Sequence, residues 1–220
     1  MTLSPSLNLA LTGDDYLGLW RYYYYINGQG GPKIDAFSYF FTDYGPMDTL
    51  TAAIHNFFGF KDQIYYIFSL TLRIIASLSF LWPVYKLTRN KWASLGAFAF
   101  FLITTTGLDA TDWSFNMPSY VAIALTNTLL GLFILSRNRN NWLIWFSSLI
   151  LFTLAIISQP IRTMFLPISM IGLEFYWLVT NFNEKSVVRG LLRICLYAFL
   201  LTSILKYTNY GGALGLRGSA

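Results

Sequence analysis

The sequence predicts an all-α fold: a polytopic helical membrane bundle with interfacial amphipathic helices in a first extracytoplasmic loop. Three observations predict it. Hydrophobic residues make up 55% of the chain and charged ones 11%, against about 25% charged in an ordinary soluble domain. Apolar runs recur at the length of a membrane span, roughly 17–25 residues. The Lys and Arg residues fall in the short joints between those runs, where they act as topology signals. The 220 residues divide into an extracytoplasmic loop (1–62), a bundle (63–206) and a Gly-rich tail (207–220).

The loop reads as two amphipathic helices around a turn. It carries Asp14, Asp15, Asp35, Asp43, Asp48 and Asp62, six of the ten acidic residues. Thr12 and Asp15 fit the Ser/Thr-x-x-Asp/Glu capping pattern, which satisfies the free N–H groups of a helix start. Tyr16, Leu17, Trp20, Tyr23 and Tyr24 then fall on one helical face, as in an aromatic belt at a membrane–water boundary. Gly28, Gly30, Gly31 and Pro32 break this helix, and Pro46 suits the first turn of the next, which needs no N–H. Met47, Leu50, Ile54, Phe57 and Phe58 form the expected apolar stripe, with Asp48, Thr51 and His55 opposite. Gly59 closes it.

From Gln63 the apolar runs are Gln63–Tyr85, Trp92–Thr106, Tyr120–Ser136, Trp142–Ser158, Met164–Thr180 and Leu191–Lys206, about six spans at this length scale. Basic joints (Lys86, Arg89 and Lys91; Arg137 and Arg139; Lys185, Arg189 and Arg193) alternate with joints bearing Asp109 and Asp112, or Arg162 alone. Positive-inside bias puts the basic joints in the cytoplasm. The Asp14–Asp48 segment, the Asp109–Asp112 loop and the Ser158–Arg162 turn then share the outer face. This orientation requires an upstream span to carry the first segment across, and the tail from Gly211 to Ala220 reads as a loop cut before further sequence.

The net charge of +5 is spread over these joints, which excludes a nucleic-acid footprint. Cys195 lies within an apolar run and reads as a small buried hydrophobe. The first twelve residues lack a basic n-region and hold too short an apolar stretch for a signal peptide. No Walker A loop, dinucleotide fingerprint or zinc-type Cys/His spacing is present.

Candidate chemistry follows from charge and position. Asp14 and Asp15 stand at a helix N-terminus, where the macrodipole favours negative charge, and this suits a general base or metal ligand. Neighbours in a helix point about 100° apart, so one of the two faces any given site. The alternative is a helix cap beside a solvated charge. Arg73 lies inside the first run, where an Arg must face the bundle interior, a cavity or a phosphate. Its structural alternative is a carboxylate or a helix-end carbonyl. Asp109 and Asp112 precede the third run and are otherwise solvated loop acids. Arg162 can hold a phosphate through paired hydrogen bonds, or snorkel to the interface. His55, without a cluster, is structural.

These features, in order, resemble the GT-C superfamily of membrane glycosyltransferases, in particular the bacterial relatives of protein mannosyltransferases and of the lipid A aminoarabinose transferase. Gly13-Asp14-Asp15 looks like the acidic opening of that family's first outer loop. Tyr44-Gly45-Pro46, leading to Gly59, looks like its Pro motif and amphipathic helix. Leu72-Arg73-Ile74-Ile75-Ala76-Ser77-Leu78, running on to Lys86, and the Asp109–Pro118 loop are similar to the following span and second acidic loop. Gln159-Pro160-Ile161-Arg162 stands where a later turn often carries Lys.

The resemblance implies transfer of a sugar from a polyprenyl-phosphate donor to a hydroxyl of a glycan, lipid or protein acceptor, on the extracytoplasmic face of a multi-pass protein in the bacterial inner membrane. It makes Asp14 or Asp15 the base, with Asp112 assisting. It puts Arg73, Arg162, Asp109 and Tyr44 at the substrate. A divalent cation is compatible with this chemistry, and no ligand set in the sequence requires one. Two other readings are a transporter or channel with charged cavity residues, and an inactive scaffold or fragment of the same fold.

Overall fold

The computed structural model describes residues 11, 13–29, 33–40, 42, 45–104, 116–139, 141–158, 163, 166–180 and 184–207. Among them are ten helices and no strand: α1 (Gly13–Ile26), α2 (Ala36–Phe40), α3 (Gly45–Phe58), α4 (Asp62–Ser79), α5 (Leu81–Thr88), α6 (Lys91–Ile103), α7 (Pro118–Arg139), α8 (Trp142–Ser158), α9 (Leu166–Thr180) and α10 (Glu184–Tyr207). The chain forms two compact units, Met1–Gln159 and Pro160–Ala220.

In the first unit α1, α2 and α3 pack on one another, and α3 also touches α4, α7 and α8. The bundle is built on α7, which lies against α8, α4 and α5, while α6 packs on α4 and α5. The run expected at Gln63–Tyr85 is interrupted. Phe80 separates α4 from α5, three residues before Pro83, whose ring displaces the backbone and whose missing N–H removes a helical bond. The turn of chain at Phe80 stays right-handed (φ −69°, ψ −26°), so the two helices continue as one apolar stretch, Asp62–Thr88. Pro118 opens α7, where a first-turn proline loses nothing.

Polar side chains stitch these helices together. Asn127 on α7 donates to Ser79 Oγ at 2.8 Å, and Ser94 on α6 donates to the Leu81 carbonyl at 2.5 Å. Gly131 lets α7 approach Trp82, since a Cβ there would run into the indole ring. In the second unit α9 and α10 form a hairpin. Leu178 sits on Gly190, and the buried Glu174 and Arg193 pair at 3.8 Å.

Among the described residues two helical stretches, Asp62–Thr88 and Pro118–Arg137, are long and apolar enough to cross a membrane. The other apolar helices, Lys91–Ile103, Trp142–Ser158, Leu166–Thr180 and Gly190–Ser203, span 10–17 residues. At 1.5 Å per residue the longest of them covers about 25 Å, short of a hydrocarbon core about 30 Å thick. Helix existence was therefore legible from hydropathy, and span length less so. Cys195, expected inside, is exposed on α10.

Candidate functional site

The amphipathic segment gathers most of the described polar chemistry, and α3 buries Asp48 and Thr51 as well as Met47 and Ile54 of its apolar stripe. On α1 the aromatic stripe points outward, with Tyr16, Leu17 and Trp20 all exposed, while Asp15 and Leu19 are buried. On α3, Asp48 and Thr51 are fully buried and Phe57 is 82% exposed. The reason is that Asp48 has partners. Arg21 grips its carboxylate with both prongs, Nε to Oδ2 at 2.6 Å and Nη2 to Oδ1 at 2.7 Å. Tyr39 on α2 donates its hydroxyl to the same Oδ2. One carboxylate thus ties three helices together, so the polar residue becomes the centre of the packing.

Burial shapes the protonation of this trio. It pushes the Asp48 carboxyl above the usual carboxylate range, against the downward pull of Arg21 and then Tyr39. Burial, reinforced by the neighbouring Asp48 charge, pushes the Tyr39 phenol well above its ordinary value. Tyr39 is therefore a hydrogen-bond donor across the whole working pH range. Arg21 is itself raised: burial lowers it, and the hydrogen bond and charge of Asp48 more than restore it. Tyr22 and Tyr25 set their rings against Tyr39, with centroids 5.5 and 5.9 Å away, so part of the tyrosine run is internal packing.

A second polar group lies where α3 gives way to α4. Tyr23 donates to Asn56 Oδ1 at 2.5 Å and stands 3.3 Å from His55 Nδ1. With its one proton on Asn56, the Tyr23 oxygen accepts from His55, which fixes the neutral ring as the Nδ1–H tautomer. The His55 ring packs on Phe60 at 4.3 Å, and Phe60 meets Tyr16 at 5.7 Å. Gly59 takes the left-handed conformation (φ +66°) that lets the chain turn into α4, and its carbonyl accepts from Tyr65 at 3.1 Å. The charges of Asp15 and Asp62 both reach this Tyr65 hydroxyl. Tyr65 belongs in turn to a buried cluster with Leu11, Ile54 and Met117. Asp15 thus stands in the first turn of α1 with its side chain fully enclosed, and its charge acts on the hydroxyl of Tyr65 in that buried cluster.

Arg73 has the structural partners weighed for it. It is fully buried on α4 and donates to the carbonyls that end α6: Leu102 at 3.4 Å, Phe101 at 3.1 Å and Thr104 at 2.6 Å. A further N–H reaches the Tyr120 hydroxyl at 3.1 Å, and the guanidinium lies near the Phe101 and Tyr120 rings. A cation over the last carbonyls of a helix complements its dipole. Arg73 stands eight residues past Tyr65, about 12 Å along the helix axis, so it is two turns removed from the Asp15 neighbourhood.

The remaining candidates lie outside what is described. Tyr44, Asp109, Asp112 and Arg162 are outside the described residues, and so is the side chain of Asp14, whose backbone belongs to α1. Among the described residues no three His, Cys, Asp or Glu side chains gather in a way that could hold a metal ion. No family model, curated protein or solved structure matches the chain.

The sequence missed the Arg21–Tyr39–Asp48 trio. The signal available was charge arithmetic. Arg21 is the lone basic residue in an aromatic run, and it needed a carboxylate once that run was placed against other helices.

Proposed function

We propose that this chain is a multi-pass membrane glycosyltransferase that moves a sugar from a polyprenyl-phosphate carrier to an acceptor hydroxyl on the extracytoplasmic face. The observation that carries the reading is Asp15, a carboxylate wholly enclosed at the N-terminus of α1, on a helical layer that feeds directly into the apolar stretch Asp62–Thr88. An enclosed carboxylate at a helix N-terminus is a position from which a base can work on a hydroxyl with water excluded. The resemblance in motif order supports the same assignment. So do the exposed Ile67, Ile74, Ile75 and Leu78 on α4 and Leu143, Phe146 and Ile150 on α8, which suit lipid better than water.

In this reading Asp15, or its neighbour Asp14, takes the proton from the acceptor hydroxyl as its oxygen attacks the anomeric carbon. The carrier phosphate leaves with the bonding pair, and single displacement inverts that carbon. The resemblance assigns Arg162 to the charge gathering on the phosphate. It assigns Asp112 and Asp109 to the acceptor and Tyr44 to substrate binding. Arg73 holds the carbonyl end of α6. The donor supplies the membrane anchor, so catalysis needs the site at the bilayer surface.

The test is sugar transfer in membranes from a radiolabelled polyprenyl-phosphate sugar, comparing wild type with Asp14→Asn, Asp15→Asn and Arg162→Ala. Loss of about 100-fold or more in one Asp variant is the size expected for a missing general base. Full activity in both Asp variants would remove them from the chemistry.

One observation favours a second reading, ion-coupled transport. Glu174 and Arg193 are charged, buried and paired within the α9–α10 hairpin, as in intramembrane relays. Gradient-driven uptake without sugar transfer would select it.

A further inference from the structure

The joint between α5 and α6 holds a groove that the sugar-transfer reading leaves unused. It is about 500 Å³ in volume and is lined by Leu81, Trp82, Tyr85, Lys91, Ser94 and Leu95. Its floor is fixed: Ser94 is buried and bonded to the Leu81 carbonyl, and Trp82 is wedged against Gly131 of α7. Its rim is cationic. Arg89 takes a left-handed turn (φ 56°) to close α5, and the Asn90 side chain accepts from the Trp92 and Ala93 N–H groups to start α6. This tight turn leaves Arg89 and Lys91 exposed, with Lys86 half-buried beside them. The sequence has no acidic residue between Asp62 and Asp109 to neutralise them. Around the rim Leu87 is 68% and Trp92 81% exposed.

An apolar trough ending in two or three cations, flanked by exposed Trp and Tyr, matches an amphiphile with an anionic head. It sits at the end of the apolar stretch Asp62–Thr88, where a leaflet's head groups would lie. We propose that this groove binds an anionic phospholipid of the leaflet next to the basic joints. One acyl chain lies along Leu81, Tyr85 and Leu95, and the phosphate meets Lys91 and Arg89. The head-group charge complements the rim, and the chain completes the apolar walls. The site is on the face opposite the proposed chemistry, so it is a structural lipid site distinct from the donor's. It rests on the Asp62–Thr88 stretch spanning a membrane, and not on sugar transfer.

The test uses purified full-length chain in bilayers of phosphatidylcholine containing increasing fractions of phosphatidylglycerol, with bromine on the acyl chains of one lipid or the other. The signal is the part of the tryptophan fluorescence that Trp82→Phe removes. Brominated phosphatidylglycerol should quench it at a far lower mole fraction than brominated phosphatidylcholine does. Near an anionic surface each cation contributes about fivefold. The double variant Arg89→Gln/Lys91→Gln should therefore shift the phosphatidylglycerol midpoint by about 25-fold, while Arg89→Lys/Lys91→Arg keeps it. Equal quenching by the two lipids, or no shift in the double Gln variant, would overturn the site. A chain that alkaline carbonate strips from membranes would instead overturn the span on which the groove depends.

Discussion

Removing the charges of Arg21 and Asp48 separately and together isolates what their contact contributes. Asp48 is fully buried and Arg21 is 20% exposed at its side chain. Deleting one member of a fully buried pair costs about 3–5 kcal/mol. The partial exposure of Arg21 lets water take up some of the loss, so Arg21→Met should cost about 2–3 kcal/mol. Asp48→Leu strands the Tyr39 hydroxyl as well as Arg21, at about 2 kcal/mol. The double variant carries no unpaired charge. Because burial already raises Asp48 against both partners, little is lost when both charges go, about 1 kcal/mol or less. The cycle then gives a coupling of about 3–4 kcal/mol. Amide hydrogen exchange across α1 and α3 in detergent micelles is the local readout, since opening of this layer need not involve the bundle. Exchange in α3 should be about 30-fold faster or more in Arg21→Met, and should return most of the way to wild type in the double variant. A coupling within about 0.5 kcal/mol of zero would refute the role given to this pair.

Tyr39→Phe tests the protonation of the same trio. The phenol is held above its ordinary value of 10.0. Its contribution is therefore complete below that pH and lost as pH rises through the folded value, and the stability gap between wild type and variant should close on the alkaline side. Asp48 is raised above 3.8, so its contribution is complete below that pH and fades as pH rises through the folded value. Relative to Asp48→Asn, wild type should gain stability as the medium is acidified toward that pH, measured by thermal unfolding in micelles. Gly45→Ala would drive a Cβ into the Tyr39 and Phe40 carbonyl oxygens, and should cost about 2–3 kcal/mol. Gly96→Ala, in open space on α6, should stabilise by about 0.5–1 kcal/mol. Arg73→Leu leaves several carbonyls at the end of α6 without their donors and should cost about 3 kcal/mol. Arg73→Lys should recover only part of that, because a single ammonium cannot span the same set.

Hydropathy made the helices readable because burial of apolar surface sets where each begins and ends. The Trp142–Ser158 run coincides with α8, and α9 begins two residues later than the run that anticipates it. Pro83 could have placed the Phe80 interruption, since the ring conflicts with the carbonyl four residues back. The burial of the polar side of α3 was not readable in this way. Periodicity assigns Asp48 to solvent, and only its pairing with Arg21 and Tyr39, 27 and 9 residues away, brings it inside. Arg73 shows the same limit in reverse. The cost of an intramembrane Arg identifies a residue that must have partners. Backbone carbonyls from another helix carry no mark in the sequence, so the choice between helix end and phosphate needed coordinates. Asp15 was legible as a helix-start acid, while its complete enclosure was not.

The proposed sugar transfer and the proposed lipid site together require the α1–α3 layer and the α5–α6 turn to lie on opposite sides of a membrane. Single thiols at Asn27 and Arg89, both exposed, placed in a Cys195→Ser background, report this with a membrane-impermeant maleimide on intact cells. The thiol at position 27 should react at once, and the one at position 89 only after the membrane is opened. Equal labelling of both before opening, or of neither, would contradict the arrangement.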